Sequence, residues 1–185
     1  MPESARRVSA LAQVALQGRF GASRGAPGIV LSIRHPVSIV MAIARRGQAE
    51  ALSTALAGLS GVTVQWAGAD QYYVLAESRG EGELYGELKH KLGGIAALSD
   101  QSHGRVIISV SGPKSRSVLA KGTPVDLHRH EFPVGRSAIT QMAHVGVHLT
   151  RVGEDTFELS VFRGFAESFW DWLTTQSEEF GYQVT

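Results

Sequence analysis

The sequence predicts an α+β domain made of two related split βαβ units, and three observations carry that prediction. Runs of β-branched residues alternate with leucines at helical spacing. The order strand, helix, strand, strand, helix, strand is complete by Leu98, which is the ferredoxin-like arrangement, and part of that order returns after residue 105. The 185 residues, 43% of them apolar, suit one domain able to bury roughly 70% of the surface its unfolded chain exposes.

The elements follow in sequence. Residues 1–28 read as an N-terminal arm, extended or poorly ordered alone, because Gly18, Gly21, Gly25, Pro27 and Gly28 interrupt any sustained apolar face. A single α+β domain then covers 29–185. Residues 37–43 are apolar and β-branched, as in a buried strand, and Leu52, Leu56 and Leu59 mark a helix that Gly61 closes. Residues 62–66 and 71–76 form a hairpin around Gly68 and Asp70. Leu84, Leu88 and Leu92 give the next helix, stopped by Gly93 and Gly94. In the second half, 105–110 is a strand, and Pro113 opens a short helix that ends at Gly122. Residues 123–135, with two prolines and no period, are expected to be irregular, exposed backbone. Three strands follow over 137–142, 145–152 and 156–161. In the last, Phe157, Leu159 and Val161 alternate with Thr156, Glu158 and Ser160, so one face meets the core. A helix over 164–180 carries a stripe of Phe165, Phe169, Trp172 and Leu173, read as packing against the sheet.

Composition excludes several chemistries. Without cysteine there is no disulfide framework, thiol nucleophile, iron–sulfur cluster or thiolate zinc site, and only His, Asp or Glu remain as metal ligands. The net charge of +1 gives no general attraction to nucleic acid. It conceals a split, however: residues 1–49 carry seven arginines against Glu3, and the rest has a net charge of −5. Phe20 alone interleaves with the basic arm, so base stacking there is poorly supported. The apolar run 29–44 is broken by Arg34, His35 and Pro36, too broken to span a membrane, and a cytoplasmic location is expected.

Individual candidates are weak. His144 and His148 would share a strand face about 13 Å apart, too far to ligate one ion. His128 and His130 sit in the irregular loop beside Arg129. Gly112, Pro113 and Lys114 open a helix whose free N–H groups suit an anion, but no phosphate-binding fingerprint surrounds them. Asp100, Ser102 and His103 are triad residue types at spacings that point them apart. The residues alone thus give no catalytic set.

Several unusual strings do carry a likeness: SGPKSRSVLAKG at 111–122, PVDLH at 124–128, FPVG at 132–135, WAGADQ at 66–71, MAHVGV at 142–147 and FRGFAESFWDWL at 162–173. Over residues 29–180 the chain resembles the gamma subunits of heterotetrameric sarcosine oxidases. It departs from them at Arg129 and Ala69, where proline is expected, and at Gly164, where serine would cap the last helix. The resemblance implies a fold similar to the folate-binding domain of aminomethyltransferases. It also implies a noncatalytic accessory subunit of a cytoplasmic enzyme that converts sarcosine, O2 and tetrahydrofolate to glycine, H2O2 and methylenetetrahydrofolate. FAD, FMN, NAD, zinc and tetrahydrofolate would belong to the alpha, beta and delta partners. In aminomethyltransferases a carboxylate on a strand of the second half contacts the folate amine, whereas residues 142–149 here contain no acid. The arm and the loop 123–136 are the expected contacts with alpha, through Asp126, His128, His130 and Arg136. For Asp126 and Arg136 an internal ion pair is an equal alternative. A free-standing folate- or anion-binding protein is the competing reading, and it requires a deep pocket lined by carboxylate and aromatic groups.

Overall fold

The computed structural model describes residues 7–21 and 25–185. Two sheets organise them. The smaller comprises β3 (Val37–Ala44), β4 (Thr63–Gly68), β5 (Gln71–Glu77) and β6 (Ala96–Asp100), with α1 (Ala49–Ala57) and α2 (Glu83–Leu92) as crossovers. Its order, β4-β5-β3-β6, with every pair antiparallel, is that of a split βαβ unit. Leu52, Leu56, Leu84, Leu88 and Leu92 all point inward onto Val40, Ala42, Val74 and Ala76. The first helix stops earlier than glycine position alone predicts. Gly58 is its C-cap, and Gly61, at φ 69°, makes the left-handed turn into β4.

The larger sheet repeats the path with additions. Its members are β1 (Gly18–Phe20), β2 (Ile29–Ile33), β7 (Arg105–Ser111), β8 (Ser137–Met142), β9 (Val145–Gly153), β10 (Thr156–Phe162) and β11 (Tyr182–Val184), with α3 (Ser115–Leu119) and α4 (Ala166–Ser177). The order is β1-β11-β2-β7-β10-β9-β8. Strand β2 therefore lies between β7 and β11, where a plain split βαβ unit would pair those two directly. β11 runs parallel to β2, and β1 pairs antiparallel with β11. These three strands are absent from the periodicity reading because they are only three to five residues long and their pairing partners are distant in sequence.

The arm also behaves differently from an appendage. Its residues 1–6 and 22–24 lie outside the described residues, but Leu11 is fully buried in the larger core and Phe20 stacks on Tyr182 at 5.2 Å. In α4 the expected anchor Phe165 is exposed, and Trp170 is buried instead beside Phe169 and Leu173. The cause is a 3-10 turn over Arg163–Phe165, which leaves Phe165 as N-cap and starts the helical phase at Ala166, so Gly164 caps nothing.

Strand alternation sets the layers. β7 places Val106, Ile108 and Val110 on the helix side, as β9 does with Val147 and Leu149 and β10 with Phe157, Leu159 and Val161. The opposite face carries Arg105, Ile107, Ser109, His148, Thr150, Glu158 and Ser160. That face meets the smaller sheet, where Ile107 packs among Val37, Ile39, Ala67, Tyr73 and Leu75. Both faces of the larger sheet are thus covered, one by helices and one by the other sheet.

Candidate functional site

The segment 123–136 connects α3 to β8. It has no regular structure, as its prolines dictate, but its backbone is tied down. Leu127 and Phe132 are buried in the larger core. The guanidinium of the buried Arg151 donates to Phe132 O at 2.8 Å, Arg116 Nε donates to Leu127 O at 3.2 Å, and Gly135 N donates to Arg151 O at 2.7 Å. Arg129, at a position where the resemblance expects proline, reaches Glu154 at 2.7 Å in the β9–β10 turn.

All four predicted contact residues are exposed. Asp126 Oδ1 accepts from His128 N at 2.8 Å, the local turn that aspartate favours. His128 and His130 pack ring to ring at 5.3 Å. Arg136 donates to Glu131 O and lies 5.8 Å from the Phe132 ring. Asp126 and Arg136 do not pair with each other among the described residues; each is held by its own stretch of loop. The fold nevertheless brings both to one open groove of about 400 Å³, together with Trp66, Glu131, Phe132 and Ile139, while the two histidines stand outside it.

Trp66 and Ile139 come from the edge strands of different sheets, β4 and β8. They are 45% and 61% exposed, and Phe162 at the end of β10 is 49% exposed. Large apolar side chains left this open beside a groove mark an association surface more often than an accident of folding.

Behind the groove runs a polar seam between the sheets. Arg34 donates to Glu77 at 2.8 Å and to Glu158 at 3.0 Å, and the buried Gln65 donates to Glu158 at 2.7 Å. His148 Nε2 lies 2.8 Å from Trp66 O, so the carbonyl fixes the proton on Nε2 of the neutral ring. Burial lowers the His148 pKa from its ordinary value; the hydrogen bond to Trp66 opposes this, and nearby Arg105 reinforces it. Tyr73 meets His148 edge-on at 5.0 Å, and burial raises its phenol pKa against the pull of Arg105. Arg105 lies 4.8 Å from the Tyr73 ring and 4.2 Å from the Phe162 ring.

Sequence reasoning missed this seam. The alternation in β10 is legible and assigns one face to the core, but it says nothing of the other face, where Glu158 and Ser160 are buried against the second sheet. The matching polar residues of β7 and β9 were the available signal. The other candidates disperse. His144 occupies the turn before β9 rather than the strand, at φ 66° and exposed. Ser102 Oγ donates to Asp100 at 2.6 Å, but His103 turns to Glu81 at 3.0 Å. Two donors at the helix start near Gly112 are used within the fold: Lys114 N donates to Gly28 O and Ser115 N to Gly112 O. Among the described residues no three His, Asp or Glu side chains converge as metal ligands.

Known proteins place this geometry in context. The sequence model of the sarcosine oxidase gamma subunit family matches residues 39–179. The chain is 33% identical over 124 residues to the sarcosine oxidase subunit gamma of Corynebacterium sp. strain U-96, covering 66% of this chain and 59% of that protein. It is 36% identical over 121 residues to the subunit gamma of an Arthrobacter species, covering 65% of this chain and again 59% of the relative. The chain thus aligns with about three-fifths of the length of those relatives. A chain of the solved heterotetrameric sarcosine oxidase from Corynebacterium sp. U-96, in complex with pyrrole 2-carboxylate, superimposes with a TM-score of 0.81 at 28% identity, covering 94% of this chain and 96% of that one. The aminomethyltransferase T of the glycine cleavage system from Bartonella henselae shares the fold, with a TM-score of 0.65 at 18% identity over 86% of this chain and 48% of that one.

Proposed function

Because the chain belongs to the sarcosine oxidase gamma subunit family, we propose that it is a noncatalytic accessory subunit of a heterotetrameric sarcosine oxidase. In this reading it docks on the larger alpha subunit, in an assembly with beta and delta. The assembly converts sarcosine, O2 and tetrahydrofolate to glycine, H2O2 and methylenetetrahydrofolate, and FAD, FMN, NAD and zinc reside in the partners. The single observation carrying this reading is the exposed apolar surface of Trp66, Ile139 and Phe162, flanked by Asp126 and Arg136 on a loop that is held in place before any partner arrives. A preformed surface costs little ordering on association.

Co-expression with the companion subunits, followed by affinity purification through a tag on alpha, tests the proposal. The untagged chain is expected at one copy per complex. Assembly of a fully active complex from which this chain is absent, with the chain itself remaining monomeric, would refute it.

A second reading draws on the groove itself. Trp66, Asp126 and Glu131 offer the aromatic and carboxylate surfaces that a free-standing folate-binding protein would use. Calorimetric titration of the isolated chain with tetrahydrofolate separates the two: micromolar binding favours the ligand reading, and no heat favours docking.

A further inference from the structure

Arg105 has an environment that no other part of the fold accounts for. Its guanidinium lies between the Tyr73 and Phe162 rings, and its Nε is buried with no hydrogen-bond partner among the described residues. The two carboxylates of the seam, Glu77 and Glu158, are both engaged by Arg34. Ring faces compensate a cation only partly, and a buried guanidinium N–H lacking an acceptor is costly. Burial accordingly lowers the Arg105 pKa from its ordinary value, but the group remains protonated.

Beside it opens a small cleft of about 100 Å³, lined by Tyr73, Arg105, Ile139, Val147, His148 and Phe162. The His148 Nδ1 in this wall is also buried and unpartnered among the described residues, and with the proton held on Nε2 it is an acceptor. The cleft therefore offers a cation in an apolar, aromatic frame and one acceptor nitrogen. Ile139 also lines the groove beside Trp66, so the cleft is continuous with the exposed apolar surface. A half-buried arginine framed by aromatic and aliphatic side chains, its Nε already out of water, has the anatomy of an energetic centre of a protein interface.

We propose that Arg105 receives the carboxylate of an aspartate or glutamate side chain of the partner subunit, with Ile139 and Phe162 closing over the pair. This rests on the docking reading above and adds to it the chemistry of the partner residue. A side chain suits the cleft because a short acidic group fits its volume of about 100 Å³ and because the apolar rim calls for an apolar surface around that acid. The pair forms out of water, so the bidentate fork of arginine is favoured over a lysine.

The test measures binding of the purified chain to immobilised complex prepared without it. Arg105→Gln removes the cation. Ile139→Glu places an acid beside Arg105 from an exposed position and supplies the carboxylate from within. Both are expected to weaken binding by at least about tenfold, as loss of a buried interfacial charge pair does. Arg46→Gln, an exposed change in the other half, is expected to bind as wild type does. Thermal unfolding of each variant separates folding defects from binding defects, and Ile139→Glu is expected to leave the melting temperature unchanged. Wild-type affinity for both Arg105→Gln and Ile139→Glu would overturn the proposal while leaving docking intact. Failure of the wild-type chain to bind would overturn docking itself. Displacement of the Arg105 Nε resonance by 10 mM acetate in the isolated chain, with both variants still assembling, would assign the cleft to a free small carboxylate and overturn the partner side chain.

Discussion

The two halves share a path but not a way of closing it. The four-stranded half is a plain split βαβ unit whose helices bury five leucines onto valines and alanines, a core in which every contributor lies on a local, periodic stripe. The seven-stranded half has the same crossover logic, yet it accepts β2 between β7 and β11, adds β1 at its edge, and buries Phe132, Phe157, Phe169 and Trp170 from three separate segments. The first half folds around neighbours in sequence. The second gathers distant pieces, including Leu11 of the arm, and the exposed apolar surface forms at the line where the two meet.

The largest effects should separate these cores. Phe169→Ala in the seven-stranded half is expected to cost about 3–5 kcal/mol, and Leu88→Ala in the four-stranded half about 2–5 kcal/mol. Urea unfolding monitored by circular dichroism measures both. If the halves are one cooperative unit, each variant shifts a single transition; a second transition in either variant would break the picture of sheets joined across their faces.

The seam can be weakened without touching either core. Glu158→Gln removes the charge that Arg34 and Gln65 share, with an expected cost of about 1.5–3 kcal/mol in the same measurement. A variant as stable as wild type would mean that the seam contributes orientation alone.

A smaller effect depends on pH. His148 is buried as the neutral ring with its pKa below the ordinary 6.5, facing Tyr73, Arg105 and the Trp66 carbonyl. The unfolded chain takes up a proton at this position near its ordinary pKa, where the folded chain does not. Its contribution to stability is therefore complete above that value and is lost as pH falls toward the lower folded pKa. Chemical denaturation at pH 7.5 and pH 5 should show wild type losing more stability than His148→Gln. Equal losses would place the ring in a less buried setting.

The smallest effect contrasts two aromatics four residues apart. Phe165→Ala is expected to change stability by no more than about 0.5 kcal/mol, because Phe165 is exposed while Phe169 is fully buried.

That contrast also shows what the sequence made legible. Leu84, Leu88 and Leu92 and the alternation of residues 156–161 mark their elements because their period is local. Phe165 misleads because a 3-10 turn delays the helical phase, and a period count carries no information about that delay. Strands β2 and β11 escape notice because they are short and held by partners distant in sequence, β2 by β7 and β11, and β11 by β1 and β2. Of the candidate site, Asp126, His128, His130 and Arg136 were accessible because prolines and polar residues announce a loop. Trp66, Ile139, Phe162 and Arg105 lie on three different strands and a strand end, where each reads as ordinary strand sequence. Only the meeting of the two sheets brings them together.

The central claim, that this line of meeting is the docking surface, is tested most directly by amide hydrogen exchange of the chain free and assembled with its companion subunits. The account predicts added protection in residues 123–142 and around Phe162, with the exposed surfaces of α1 and α2 unchanged. Protection confined to α1 and α2, with 123–142 exchanging as in the free chain, would contradict it.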